Sequence, residues 1–108
     1  MKTELMQDEK IIKEGKANHS VGITNVGGTL YLTNTRIIFE TNALNWMQKH
    51  HVSLLFKDIS DFGKRNTLFI IPNSIFITSN EGKEDKFVVF GRDKWLKEIG
   101  ERVDHIMK

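Results

Sequence analysis

The chain has 108 residues and a formal net charge of +2, from 16 basic and 14 acidic side chains. This length fits one domain with a thin hydrophobic core, and the near balance of charge gives no strong field to attract nucleic acid. The chain has no cysteine, which excludes disulfides, thiolate nucleophiles and thiolate metal sites.

No apolar run approaches the roughly 18 residues of a membrane span, and the N-terminus lacks the apolar run of a signal peptide. We therefore expect a cytoplasmic protein, with peripheral contact at the inner membrane face as the alternative. The chain shows no repeat, linker or low-complexity stretch, so residues 1–108 are expected to form a single domain.

The chain is expected to begin with a charged lead-in over residues 1–10 that is frayed. Weak alternation of polar and apolar residues predicts a first strand at 16–24. Gly27-Gly28 follows, and we expect it to break that element, because glycine adopts backbone conformations that other residues avoid.

Residues 29–41 predict a β-hairpin with Asn34-Thr35 as its turn. Because alternate strand residues share a face, Ile37 and Phe39 should point inward. Ile38 is then an apolar residue on the outer face, and a contact with the N-terminal segment would explain it.

Further strands follow along the chain, at 52–63 with a bend after 56, at 67–71, at 74–79 and at 86–90. Polar and turn-forming residues predict the connections between them, at 64–66, at 72–73 and at 80–82. The strand at 67–71 is apolar on both faces and should be covered on both sides.

After Gly91 the apolar period changes from two to 3.6, which predicts a helix over about 92–107. Asp93 is its expected N-cap, and Gly100 is expected where the helix passes close to a strand. One helical stripe carries the apolar residues, namely Trp95, Leu96, Ile99, Val103 and Ile106.

This order of elements predicts a mainly β fold with one C-terminal α-helix. About seven antiparallel strands should form a bent sheet or open barrel, because a sheet this small cannot hide its faces and edges without a cap. The helix, with its apolar stripe otherwise unpaired, provides that cap.

The motif G-x-L-Y-L-T-N-x-R-I-I-F, at residues 28–39, resembles the signature hairpin of GRAM domains, a branch of the pleckstrin-homology-like barrels. The similarity extends over roughly residues 10–105. The resemblance implies a pleckstrin-homology-like fold that acts as a binding module, often at membranes, and implies no catalysis.

The residues themselves also favour binding over catalysis. No serine has the context of a nucleophile elbow, and His50 and His51 are adjacent, so they would point to opposite sides of an extended segment. We expect no enzyme activity, cofactor or metal site, and the absence of an aromatic RNP-type strand argues against nucleic acid.

Phosphoinositide-binding pleckstrin-homology domains usually hold the headgroup with cations around the loop between the first two strands. The loop expected here, Asn25-Val26-Gly27-Gly28, has none. The sequence therefore favours a protein partner, with an anionic lipid surface as the alternative and self-association as a further possibility.

The connection at 43–51 is long and carries apolar bulk, which is unusual among short polar connections. One interpretation is that Trp46 folds back as a core plug. The other is that the connection is a contact surface, because aromatic residues and Met are enriched at interfaces. The candidate contact residues are Leu44, Trp46, Met47, Lys49, His50 and His51.

Overall fold

The computed structural model describes residues 3–21, 24–41, 51–67 and 71–107. Over these residues, seven antiparallel strands form one sheet and a single α-helix follows them, which confirms the predicted fold class. The elements are β1 (Ile11–Val21), β2 (Thr24–Thr33), β3 (Arg36–Thr41), β4 (His51–Leu55), β5 (Ile59–Thr67), β6 (Ile71–Ser79), β7 (Glu84–Val89) and α1 (Arg92–Met107).

The strands lie in the order β4-β3-β2-β1-β7-β6-β5. β1 joins the two halves of the sheet, because it pairs with β2 from Ile11 to Val21 and with β7 over residues 17–20. No ladder joins β4 to β5 along the described residues, so the sheet is open and these two strands are its edges.

A single core cluster contains residues from all seven strands and from α1. Neighbouring strands lie about 4.8 Å apart and a helix is about 10 Å across, so a flat sheet of this width could not share one core with a single helix. The sheet therefore curls around the core, as the predicted bent architecture requires.

Helix α1 closes this core with Trp95, Ile99 and Val103, each at most 2% exposed. Gly15 of β1 lies against the indole, since a Cβ there would be in van der Waals contact with the Trp95 ring at 3.4 Å. Gly100 lies where the helix meets β5, since a Cβ at this position would lie 3.5 Å from the Phe62 ring. The helix thus passes close to a strand at Gly100, as predicted.

The start of α1 differs from the prediction. The helix begins at Arg92, so Asp93 lies in the first turn and is not the N-cap. Gly91 has a φ of 70° and turns the chain sharply out of β7, and its carbonyl accepts hydrogen bonds from the N–H groups of Lys94 and Trp95. The helix therefore starts earlier than an Asp93 cap would allow.

β2 and β3 form the predicted hairpin around Asn34-Thr35. Ile37 and Phe39 are fully buried in the core cluster, which confirms the register. Ile38 is also fully buried, but it lies outside that cluster, opposite Tyr31 of β2 on the outer face of the sheet.

Residues 3–10, the N-terminal segment, cover this outer face. At one end the Thr3 N–H donates to the Glu40 carboxylate, and at the other the Lys10 N–H donates to Asn34 Oδ1 at 2.9 Å. Glu40 and Asn34 lie on either side of the outer-face isoleucine along the hairpin, so the segment crosses over it. This arrangement agrees with the contact considered from the sequence for Ile38. The hydrogen bonds of residues 3–10 to the hairpin differ from the frayed lead-in expected over residues 1–10.

The Glu9 carboxylate fastens the segment to the hairpin. Arg36 Nε and Nη2 donate to its two oxygens at 2.8 and 2.9 Å, and the Thr33 and Thr35 hydroxyls donate at 2.7 and 2.8 Å. Burial alone raises the pKa of Glu9, but these hydrogen bonds, with one from the Met6 N–H, outweigh it and lower the pKa to about 2.

Several predicted boundaries are wrong near the first strands. β1 begins at Ile11 and ends at Val21, and Gly27-Gly28 lies inside β2, paired with Ala17 and Asn18. The pair therefore continues the strand and does not end it. Its role is packing, because a Cβ on Gly28 would lie 2.0 Å from the Glu40 carbonyl oxygen. Glycine is needed there for close packing of two strands.

Two predicted turns are also wrong. Residues 64–66 continue β5, and Pro72-Asn73 belongs to β6. Only the two ends of the predicted strand at 67–71 are described, where Thr67 ends β5, Ile71 begins β6 and these two residues are paired. Residues 68–70 lie outside the described residues.

The polar residues 64–66 can continue β5 because it is an edge strand, where polar residues and charges are tolerated.

Candidate functional site

The predicted contact surface falls largely outside the described residues. Leu44, Trp46, Met47, Lys49 and His50 all belong to the undescribed stretch 42–50. His51 is exposed and is the first residue of β4. The surface as a whole therefore remains a prediction.

The structure does show how this connection is held at its two ends. Glu40 of β3 pairs with His51 of β4, so the strands stay together up to the point where the connection leaves the sheet. The Glu40 carboxylate also accepts the hydrogen bond from the Thr3 N–H. The connection thus begins and ends at positions fixed by the sheet and by the N-terminal segment.

A buried histidine–aspartate pair is the feature that most resembles catalytic chemistry. His19 Nε2 and Asp85 Oδ1 lie 2.8 Å apart, with both side chains at most 5% exposed. The His19 ring stacks on Phe87, with 4.7 Å between centroids, and tilts against Phe39 at 5.6 Å. The histidine is therefore packed into the core by aromatic rings and a carboxylate.

The neighbouring serine does not complete a catalytic triad. Ser20 follows His19 in the strand, so it points to the opposite face of the sheet. Its hydroxyl donates to Asn25 Oδ1 at 2.8 Å. The Ser20 hydroxyl is therefore directed away from the His19–Asp85 pair, which packs among aromatic rings in the core.

The connection between β1 and β2 lies elsewhere than predicted. It runs from Val21 to Thr24, whereas the predicted loop Asn25–Gly28 lies within β2. The sequence Val-Gly-Ile-Thr of this connection contains neither lysine nor arginine. The sequence argument against a cationic headgroup site at this loop therefore holds at the corrected position.

One exposed side chain was not singled out from the sequence. Phe90 follows β7 and is 96% exposed. Alternation could have revealed it, because Phe87 and Val89 point into the core and the next residue must point outward. Two hollows of about 550 and 750 Å³ lie on either side of the ring.

Within the described residues, no group of three histidine, aspartate or glutamate side chains is arranged to hold a metal ion. In the same part of the chain, no helix is long and apolar enough to cross a membrane.

Comparison with known proteins identifies the family and the fold. The family model of the GRAM domain matches residues 1–103. No curated protein sequence gives a significant match.

Solved structures of low sequence identity share the fold. The C-terminal domain of an unknown protein from Leishmania infantum has a TM-score of 0.78 at 15% identity, covering 90% of this chain and 86% of its own. The Vps36 N-terminal PH domain has 0.74 at 15% identity, covering 96% and 86%. The Slm1-PH domain, solved in complex with inositol-4-phosphate, has 0.60 at 11% identity, covering 86% and 94%.

Proposed function

The chain belongs to the GRAM domain family, and from this membership we propose that it is a non-enzymatic binding module whose partner is a protein. The proposed contact surface is the connection between β3 and β4 with the first residue of β4. Its contact residues are Leu44, Trp46, Met47, Lys49, His50 and His51.

The observation that carries this proposal is the anchoring of that connection at the Glu40–His51 pair. Anchored ends hold an apolar connection at a defined place on the sheet, which lowers the entropy that binding must overcome. Trp46 and Met47 are residue types enriched at interfaces. Lys49, His50 and the exposed His51 are the polar rim that we propose faces acidic groups on a partner.

The packing of the described histidine–aspartate pair supports a binding role. His19 packs against Phe39 and Phe87, and Ser20 points away from it, so this described pair is part of the core packing.

The alternative function is binding to an anionic lipid surface. The Slm1-PH domain, which shares the fold, was solved with inositol-4-phosphate, and tryptophan favours the headgroup region of a membrane. Against this alternative, the β1–β2 connection of this chain has no cation, and the net charge is only +2.

Replacement of Trp46 by serine tests the proposal. If the connection is a contact surface, Trp46→Ser should melt like the parent and lose binding to its partner. A large fall in melting temperature would show instead that Trp46 is a core plug. Trp95→Ala is the matched control, because loss of this buried indole should cost about 3–5 kcal/mol and sets the scale for a core tryptophan.

Binding is measured in three assays on the full chain. These are affinity capture with identification of the partner, sedimentation for self-association, and co-sedimentation with phosphatidylserine vesicles. Vesicle binding that falls steeply with added salt would favour the lipid alternative. Unchanged melting together with unchanged behaviour in all three assays would remove the connection as the binding surface.

A further inference from the structure

Phe90 is the most exposed of the large apolar side chains in the described part of the chain, at 96%. A single exposed aromatic residue is common on protein surfaces and by itself indicates nothing. The surroundings of this ring are what distinguish it, because concave surface and positive charge lie on both sides.

The first hollow, of about 550 Å³, crosses the outer face of β2, β1 and β7. Its floor is a row of three residues, Gly27, Asn18 and Val88, which are neighbours across the three strands. Gly27 has no side chain and the side chains of Asn18 and Val88 are short, so this row forms the bottom of the depression. Phe90 and Lys16 rise beside it.

The second hollow, of about 750 Å³, lies between β1 and the start of α1. Lys13, Phe90 and Lys94 line it, together with Gly91, Arg92 and Asp93. The phenyl ring therefore stands as a ridge between two depressions. We call these two hollows and the ring between them the Phe90 surface.

Positive charge dominates this surface. Lys13, Lys16 and Lys94 line it, and the Lys13 ammonium lies over the Trp95 ring, 5.2 Å from its centroid. The carboxylate in the second hollow, Asp93, accepts a hydrogen bond from Lys64 at 2.9 Å, and this bond lowers the pKa of Asp93. Its charge is thus balanced by a lysine from β5, and the remaining lysines favour an acidic ligand.

We propose that the Phe90 surface binds an acidic, extended segment of a partner protein. An apolar side chain of that segment packs against Phe90 and Val88, while its carboxylates face Lys16 in one hollow and Lys13 and Lys94 in the other. None of the residues described as lining these hollows belongs to the connection between β3 and β4.

The shape of the surface favours a peptide over a membrane. A flat bilayer would meet the phenyl ridge and leave the hollows on both sides unfilled, whereas a chain that passes over the ridge fills both. One phenyl ring with three lysines also provides weak anchoring to a bilayer, which usually needs stronger apolar insertion or a denser basic patch.

The probe is an array of short synthetic peptides in which glutamates and aspartates flank one leucine or phenylalanine. Matched peptides carry lysine in place of the acids, or serine in place of the apolar residue. The full chain should bind the acidic apolar peptides in preference to both controls. Phe90→Ser should weaken that binding about tenfold or more, because an aromatic anchor between two pockets dominates such an interface.

Charge-reversal variants distinguish binding at the Phe90 surface from nonspecific electrostatic attraction to the protein. Lys16→Glu and Lys94→Glu should each weaken peptide binding, whereas Lys57→Glu, which reverses an exposed lysine between β4 and β5, should not. Trp46→Ser should leave peptide binding intact, so this site and the proposed β3–β4 contact surface can fail independently. All the variants at Phe90 and at these lysines should keep the parent's melting temperature, because these side chains are exposed or at the rim.

Several outcomes would overturn the proposal. One is Phe90→Ser binding the acidic peptides as well as the parent does, and another is equal binding of acidic and lysine-substituted peptides. Retention on phosphatidylserine vesicles that Phe90→Ser abolishes, without peptide binding, would assign the surface to a membrane. Self-association in sedimentation that Phe90→Ser abolishes would assign it to a second copy of this chain.

Discussion

At the scale of residues, hydrogen bonds to the N-terminal segment account for the polar residues at the hairpin turn. The side chains of Thr33, Thr35 and Arg36 donate hydrogen bonds to the Glu9 carboxylate, and Asn34 uses both ends of its amide on the backbone at residues 8 and 10. The polar part of the motif that resembles the family's hairpin therefore serves to hold the N-terminal segment. These residues are therefore needed for the structure whether or not they contact a ligand.

The Glu9 network predicts a dependence of stability on pH. The pKa of Glu9 falls from 4.5 to about 2 on folding, which corresponds to about 3 kcal/mol of stabilisation at neutral pH. A lowered folded-state pKa means that this contribution is complete above pH 4.5 and is lost as the pH falls through about 2. Glu9→Gln should therefore be less stable than the parent at pH 7 by about this amount, with the difference shrinking below pH 4.5.

Urea unfolding from pH 7 to pH 2 measures this difference. Glu4→Gln is the control, because it removes an exposed carboxylate from the same segment and should leave stability at pH 7 unchanged. Equal stability of Glu9→Gln and the parent at pH 7 would contradict the role assigned to the network.

At the scale of elements, alternation and helical periodicity predict the hairpin and α1 well, because burial on one face imposes those patterns. Turn-forming residue types mislead where tertiary packing overrides them. Gly27-Gly28 is needed for close strand approach, and residues 64–66 lie on an edge strand that tolerates charge. Pro72 is the second residue of β6, near the strand end where proline is accepted.

Two glycines in different elements should respond oppositely to alanine. At Gly100 of α1 the new Cβ would meet only the Phe62 ring at 3.5 Å, an ordinary contact, so Gly100→Ala should stabilise the protein by about 0.5–1 kcal/mol through helix propensity. At Gly28 of β2 the Cβ would lie 2.0 Å from the Glu40 carbonyl oxygen, so Gly28→Ala should be strongly destabilising.

Thermal and urea unfolding of the two variants test this contrast. Because the same single methyl is added in each case, opposite signs would reflect the surroundings, namely a helix with room for a Cβ at Gly100 and a backbone clash at Gly28. Destabilisation by Gly100→Ala would mean that the helix packs more tightly on β5 than the structure shows.

At the scale of the whole molecule, the candidate sites differ in how far the sequence predicts them. The connection at 43–51 stands out by its length and apolar content, and its role stays a prediction because residues 43–50 lie outside the described part. The Phe90 surface depends on hollows formed by residues from three strands and a helix start. From the sequence, strand alternation predicts only that Phe90 points outward.

The N-terminal segment should be part of the cooperative fold. Deleting residues 1–9 removes Glu9 and uncovers the outer face at Ile38 and Tyr31, both less than 9% exposed in the intact chain. Since each large buried apolar side chain contributes about 1.5–3 kcal/mol, the truncated chain should lose about 3 kcal/mol or more.

Urea midpoints and binding of a hydrophobic dye measure this loss. Arg36→Ala in the full chain is the intermediate case, because it cuts the bonds from the guanidinium to Glu9 while leaving the segment present. A truncated chain with the parent's midpoint and no added dye binding would show that the segment is not part of the folded unit.

The position of β1 between β2 and β7 has a consequence for the order in which the protein is made. β1 leaves the ribosome early and can pair at once with β2, but its other partner is encoded roughly 70 residues later. Until β7 has been synthesised, β1 to β4 can pair with one another, but the edge of β1 that faces β7 has no partner strand. β1, the first strand of this sheet to be translated, is therefore among the last to be fully paired, and nascent chains that end before β7 should be sensitive to protease and prone to association through that edge.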